Sequence, residues 1–339
     1  MSLNLRGRHF LTLEDFTALE IQYLLDLSRD LKEKRRSGIQ GKLLAGRKVV
    51  LIFDKPSTRT RCAFETACYE EGGHVTFLSD SHMGHKESIE DTARVLGRFY
   101  DGIEFRGFKH EDALTLAQFS GVPVWNGLTD QFHPTQVLAD FLTIREHIPK
   151  PLNKVKLVYA GDARNNVSNT LMIGAAKMGM EFVGLSPKTL WPDNTLLTKM
   201  QTLAAESGAS LHYEEDIDQA VNGADVIYTD VWVSMGEEAQ FAERIRLLKP
   251  YQVNMEMLKK THHPDVIFMH CLPAFHDTQT DIGKDIQKKF GLSEMEVTDE
   301  VFRSKHSVVF DQSENRLHTA KAVMAATIGN IPLAFQDAK

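Results

Sequence analysis

Ser57-Thr58-Arg59-Thr60-Arg61 places hydroxyl and guanidinium donors directly behind an apolar run, Lys48-Val49-Val50-Leu51-Ile52-Phe53. The run predicts a buried parallel strand. Pro56 marks the turn, and Ser57 or Thr58 can cap a helix that continues through Phe64, Ala67 and Cys68. A helix N-terminus presents free N–H groups and a partial positive charge, and both suit a phosphate dianion. Two guanidinium groups are expected to crowd the same point. Taken alone, the pentapeptide equally describes a capped helix with solvated arginines.

Three further motifs follow in order: His133-Pro134-Thr135-Gln136, Asp230-Val231-Trp232-Val233-Ser234-Met235-Gly236 and His270-Cys271-Leu272-Pro273-Ala274. With the first they resemble the aspartate/ornithine carbamoyltransferase family, from about Arg8 to about Ile328, and the last two lie on its ornithine-using side. The resemblance implies transfer of the carbamoyl group of carbamoyl phosphate to the side-chain amine of L-ornithine, with citrulline and phosphate as products. It implies an enzyme of arginine metabolism, synthetic or degradative; no cofactor or metal is expected, and the three cysteines point to a reducing cytoplasm.

Such a reaction must grip a dianion, polarise a carbonyl and present an uncharged amine. For the first task the resemblance assigns Ser57, Thr58, Arg59 and Thr60, together with Arg106 and Arg316. A guanidinium fork matches phosphate oxygens bidentately. Arg106 ends the strand-like Ile103-Glu104-Phe105 before Gly107, and carboxyl ends of strands are where open α/β sheets bind ligands. By itself Arg106 reads as a surface arginine. His133 can donate to the carbonyl oxygen as it becomes an oxyanion, with Thr60 and Arg106 beside it; an isolated His-Pro is as readily a helix cap. Pro134 and Thr135 open that helix. Gln136 can accept from the carbamoyl NH2, and the family's main-chain acceptors for the same group fall at Cys271 and Leu272.

The ornithine contacts carried over are Asn166, Asp230, Ser234 and Met235. An Asp, Ser or Asn on such a loop would ordinarily be a cap. Cys271 is placed near the attacking amine with Asp230. That amine has a pKa of about 10 as an ammonium, and desolvation favours its neutral form. Cys271 therefore reads as an orienting group and not a covalent nucleophile. In the family the loop matching Asp80-Ser81-His82-Met83-Gly84-His85 reaches into a neighbouring subunit's site, which implies a homotrimer or a multiple of trimers. His82 stands where the family usually has glutamine, and either residue can donate a hydrogen bond to the phosphate of carbamoyl phosphate. His82 and His85 as a metal pair lack further ligands at suitable spacing.

The elements needed to hold these groups follow from the alternation of strand and helix patterns. Strands are expected near 48–53, 74–78, 101–105 and 122–125, then near 155–160, 181–185, 209–213, 225–229, 265–269 and 307–310. Helices are expected near 13–35, 59–71, 88–99, 111–119 and 135–147, then near 166–178, 193–207, 216–222, 283–290 and 315–328. This is an α/β pattern of two doubly wound parallel-sheet lobes. Residues 1–150 form the expected carbamoyl phosphate domain and 151–314 the ornithine domain. The resemblance adds an active site in the cleft between them and a return of residues 315–339 to the first lobe.

Composition excludes several classes. A length of 339 residues accommodates two domains, and 25% charged residues are those of a soluble globular chain. A net charge of −7 without a Lys/Arg stripe argues against nucleic-acid binding. No stretch reaches the length of a membrane span, and three cysteines are too few for a disulfide framework. Cys62 and Cys68 are expected to be core or half-buried thiols. Gly161-Asp162-Ala163-Arg164-Asn165-Asn166 lacks G-x-G-x-x-G, so a nicotinamide site is rejected. An aspartate-using enzyme would be expected to carry His-Pro-Leu-Pro where this chain has His270-Cys271-Leu272-Pro273. A non-catalytic phosphometabolite binder would need neither His133 nor Cys271.

Overall fold

The computed structural model describes residues 3–79, 81–233 and 240–331. The chain divides into two compact units, Met1–Leu142 with Glu314–Lys339, and Thr143–Ser313.

The first unit begins with α1 (Ala18–Arg36), whose N-terminus is closed by reciprocal hydrogen bonds between Thr17 and Glu20. There follow β1 (Lys48–Phe53), α2 (Thr58–Glu70), β2 (His74–Leu78), α3 (Ile89–Phe99), β3 (Gly102–Arg106), α4 (His110–Ser120), β4 (Val124–Leu128) and α5 (Pro134–His147). All strand pairings are parallel, in the order β2-β1-β3-β4. Val50, Ile52, Ile103 and Phe105 form one face of this sheet and bury against Leu96 and Leu116 of α3 and α4. On the other face Trp125 lies 6.1 Å from the ring of Phe64 in α2, and its Nε1 donates to Thr327 Oγ1 at 3.0 Å. Thr327 belongs to the last helix, Val309–Ile328, most of which is part of this unit.

The second unit contains β5 (Lys156–Ala160), α6 (Asn166–Met178), β6 (Glu181–Leu185), α7 (Asn194–Ser207), β7 (Ser210–Glu214), α8 (Ile217–Val221) and β8 (Val226–Thr229). It continues with α9 (Phe241–Leu248), α10 (Met255–Lys260), β9 (Ile267–His270), α11 (Asp281–Phe290) and α12 (Asp299–Phe302), and α13 is the helix Val309–Ile328. Its parallel sheet has the order β7-β6-β5-β8-β9. Val158, Val183, Ile227 and Phe268 are buried in its core with Leu248 and Met257.

Both strand orders reverse direction once, between β1 and β3 in the first sheet and between β5 and β8 in the second. A sheet of this kind binds ligands beyond the carboxyl ends of the strands at that reversal, where the flanking loops diverge. The loop before α2 and Arg106 occupy the first such place; the loop before α6 and Asp230 occupy the second.

Two expectations are corrected. Residues 307–310 are not a strand: Ser307 makes one bridge with Phe268, and α13 begins at Val309. A short apolar run such as Val308-Val309-Phe310 carries no periodicity that separates strand from helix. The single helix expected over 13–35 is a short turn at Leu13–Asp15 followed by α1.

Candidate active site

Ser57 caps α2 by accepting from Thr60 N at 3.3 Å, so the capping alternative resolves to Ser57. Arg59 is half-buried and Thr60 fully buried at the first turn. Arg61 does not join them. Its Nε donates to Glu65 at 2.9 Å and its guanidinium lies 3.7 Å from the centre of the Phe77 ring. Positions 59 and 61 are about 200° apart around a helix, so one guanidinium of the pair turns away. The same rotation leaves Cys62 exposed and only Cys68 buried, which corrects the expectation of two shielded thiols.

Arg316, on α13, joins three of the expected site side chains of the first unit. Its Nη1 donates to Gln136 Oε1 at 2.5 Å, and its Nη2 to Thr60 Oγ1 at 3.0 Å and to Thr135 Oγ1 at 3.5 Å. Gln136 is oriented from its other end too, since its Nε2 donates to Asp140 Oδ1 at 2.8 Å. Arg316, Thr60, Thr135 and Gln136 are all buried. His133, at the head of α5, is buried beside them. Burial, then the charges of Arg316, Arg106 and Arg59, hold its imidazole well below the usual histidine range. It is therefore neutral near pH 7 and has one N–H to donate. Thr135 Oγ1 lies 3.4 Å from its Nδ1.

The second unit carries a separate constellation. The Cys271 thiol donates to Asp230 Oδ1 at 3.1 Å, and Asn165 Nδ2 donates to Asp230 Oδ2 at 3.2 Å and to the Tyr159 hydroxyl at 2.6 Å. Asn165 also caps α6, accepting from Ser168 N at 2.8 Å. Burial pushes the Asp230 carboxyl above its ordinary range, opposed by His270, the Cys271 thiol and the Val231 N–H. Behind Cys271, Leu272 adopts φ 59°, a left-handed conformation that leucine seldom takes. Its N–H donates to His270 Nδ1 at 2.8 Å. The opposite ring nitrogen, Nε2, is thereby the protonated one and donates to Glu296 Oε1 at 3.2 Å. That oxygen also accepts from Phe275 N at 2.6 Å.

Asn166 is half-buried at the first position of α6. Ser234 and Met235 lie outside the described residues. His82 is exposed, and its carbonyl accepts from the N–H groups of His85, Lys86 and Glu87.

Three participants escaped sequence reasoning. Asn165 was visible only as one of two adjacent asparagines, and which one caps a helix is decided by backbone geometry. Glu296 lies 26 residues from its partner His270. Glu104 announced itself as a charge between Ile103 and Phe105 inside a buried strand. Asp230, His270 and Cys271 place ligand-type atoms close together, but the thiol, the carboxylate and the imidazole are engaged with one another or with neighbours as described.

The chain is similar to known proteins along nearly its whole length. Residues 8–146 match the family model "Aspartate/ornithine carbamoyltransferase, carbamoyl-P binding domain", and residues 153–327 match its "Asp/Orn binding domain". A Clostridium perfringens protein called "Ornithine carbamoyltransferase, catabolic" is 62% identical over 330 residues, 97% of this chain and 100% of its own length. The solved ornithine carbamoyltransferase of Pyrococcus furiosus is 44% identical with a TM-score of 0.88, over 97% of this chain and 100% of that one. The anabolic enzyme of Campylobacter jejuni is 35% identical with a TM-score of 0.83, over 93% and 97%. The chain belongs to the aspartate/ornithine carbamoyltransferase family.

Proposed function

We propose that the protein is an ornithine carbamoyltransferase: it moves the carbamoyl group of carbamoyl phosphate to the side-chain amine of L-ornithine, giving L-citrulline and inorganic phosphate. The observation that carries the choice of amine is the buried Asp230 carboxyl joined to the Cys271 thiol. A buried acid attracts a cationic or amino group and repels a second carboxylate, which favours ornithine over aspartate.

In this reading Ser57, Thr58, Arg59, Thr60, Arg106 and Arg316 hold the phosphate. Neutral His133 donates to the carbonyl oxygen as negative charge gathers on it. Gln136 Oε1 and the carbonyls of Cys271 and Leu272 accept from the NH2 group. Desolvation favours the neutral amine, whose lone pair attacks the carbonyl carbon. The C–O bond to phosphate then breaks, and the departing phosphate takes the proton that the amine loses. Asn166, Asp230, Ser234 and Met235 are assigned to ornithine.

We infer a homotrimer, or a multiple of trimers, in which the loop carrying His82 serves a neighbouring subunit. We also infer a cytoplasmic location; among the described residues no helix is long and apolar enough to cross a membrane. The word "catabolic" in the name of the C. perfringens relative, and in that of a Bacillus licheniformis protein 59% identical over 332 residues, favours arginine breakdown.

The deciding experiment offers ornithine, aspartate and putrescine in parallel with carbamoyl phosphate. Citrulline from ornithine alone is expected. Carbamoyl-aspartate or carbamoyl-putrescine would overturn the assignment of the second unit, and no turnover with any amine would overturn the reaction.

A further inference from the structure

The carboxyl of Glu104 is fully buried inside the first unit, and neither of its oxygens has a hydrogen-bond partner among the described residues. An isolated carboxylate in such a place is costly, and the usual escape is to keep the proton. Glu104 lies two residues before Arg106 on β3, so both side chains leave the same face of the sheet. From β4 the chain presents Gly127, and a Cβ built there would fall 1.7 Å from Glu104 Oε1 and 3.2 Å from the methyl of Thr60. The space occupied by the acid therefore exists because residue 127 is glycine. The same Gly127 position also borders the threonine that Arg316 holds.

The charged groups that reach Glu104 are Arg106 from its own strand and Arg316 from α13. Burial drives its acidity far down, and these two guanidiniums oppose the shift. From β1 its strand neighbour is apolar Leu51, and the Thr60 methyl of α2 lies beside the same Gly127 position. The same two arginines act on His133, so one pair of cations is shared by the acid, the imidazole and the anion site.

We propose that Glu104 is a positioning residue of the phosphate site whose own proton sets the site's affinity for a dianion. The proposal rests on the reading of the first unit as the carbamoyl phosphate site. With the proton on, Arg106 and Arg316 act undiminished on the incoming phosphate. With the proton off, the carboxylate neutralises part of their charge and repels the ligand. Binding of the dianion and ionisation of Glu104 thus oppose each other, and binding is accompanied by proton uptake. The sign follows: affinity is highest at low pH and falls as pH rises through the ionisation of Glu104.

Sulfate is a suitable probe, because it remains a dianion without a titrating proton across pH 6–9. Its inhibition constant against carbamoyl phosphate is measured over that range with the full-length protein and with Glu104→Gln. For the parent protein the inhibition constant should rise with pH, by at most about tenfold per unit for one linked proton. Glu104→Gln should bind more tightly at the alkaline end and lose the part of the slope due to this proton. Identical slopes and affinities in the two proteins would overturn the proposal. Should the variant fold poorly, calorimetry of sulfate binding by the parent protein in buffers of different ionisation heat reads the proton directly; zero uptake throughout would overturn the proposal equally. If sulfate did not compete and carbamoyl phosphate did not bind, the anion-site reading would fall, and this proposal with it.

Discussion

The Cys271 thiol donates a hydrogen bond to Asp230 across 3.1 Å. A thiol that donates a hydrogen bond to a neighbouring carboxylate keeps its proton and is poorly nucleophilic. In the proposed function the pair is an oriented acceptor for an amine. Cys271→Ser, which can donate the same bond, should retain measurable turnover. Cys271→Ala should lose about 1.5–3 kcal/mol in kcat/KM for ornithine, the range for a hydrogen bond to a charged group. Intact-mass analysis of quenched turnover should find no carbamoyl adduct. A modified Cys271 peptide would instead establish covalent catalysis.

Arg316 binds three side chains through two nitrogens, so the planar fork matters as well as the charge. Arg316→Met should raise the KM for carbamoyl phosphate by about 100-fold, equivalent to about 3 kcal/mol of charge-assisted hydrogen bonding. Ornithine KM should change little. Arg316→Lys should recover only part of the loss, because a compact ammonium cannot reach Gln136 and Thr60 in one geometry. Full recovery with lysine would reduce the role of Arg316 to charge alone.

His318 sits on α13 with Nε2 at 3.2 Å from Glu314, and burial lowers its pKa to about 4. Unfolding restores an ordinary imidazole near pH 6.5. A histidine with a depressed folded-state pKa stabilises fully above the unfolded value, and the contribution is lost as pH falls toward the folded one. Stability to urea should therefore decline between pH 6.5 and about 4, with up to about 3 kcal/mol traceable to this residue. His318→Gln should flatten that decline; an unchanged slope would assign the loss to other groups.

Asp162 and Arg244 form a buried pair at 2.6 Å beneath the loop that carries Asn165. Arg244→Met leaves a buried carboxylate without its main cation and should cost about 3–5 kcal/mol in urea unfolding. Asp162→Asn combined with Arg244→Met should recover much of this. Because the loop orients Asn165 toward Asp230, ornithine KM should rise in the single variant while that of carbamoyl phosphate stays near its normal value. A uniform rise in both would mean a general loosening of the fold.

The two parallel sheets were legible because buried parallel strands are continuous apolar runs, such as 48–53 and 181–185, and these fall where β1 and β6 begin and end. The amphipathic helices between them carried equally plain signals. Among the short helices, five-residue α8 was read near 216–222, whereas α9 and α12, with eight and four residues, were missed because so few turns establish no helical period. At the site, adjacent groups such as Ser57 to Thr60 could be read as a cradle from spacing. Long-range relations could not. Nothing local in Glu296 points to His270, and nothing in Gly127 shows that its missing side chain makes room for Glu104. The outward turn of Arg61 is a matter of helical phase, which a list of five residues conceals.

The return of α13 to the first unit also orders events in time. Arg316 is translated after the whole of the second unit, which ends at Ser313. A nascent chain can already have made every strand of both sheets and still lack the guanidinium that joins Thr60, Thr135 and Gln136. Ribosome-bound intermediates that stop short of Arg316 are therefore expected to bind the dianion of the proposed site more weakly, so synthesis itself withholds this contact until after both sheets have been made.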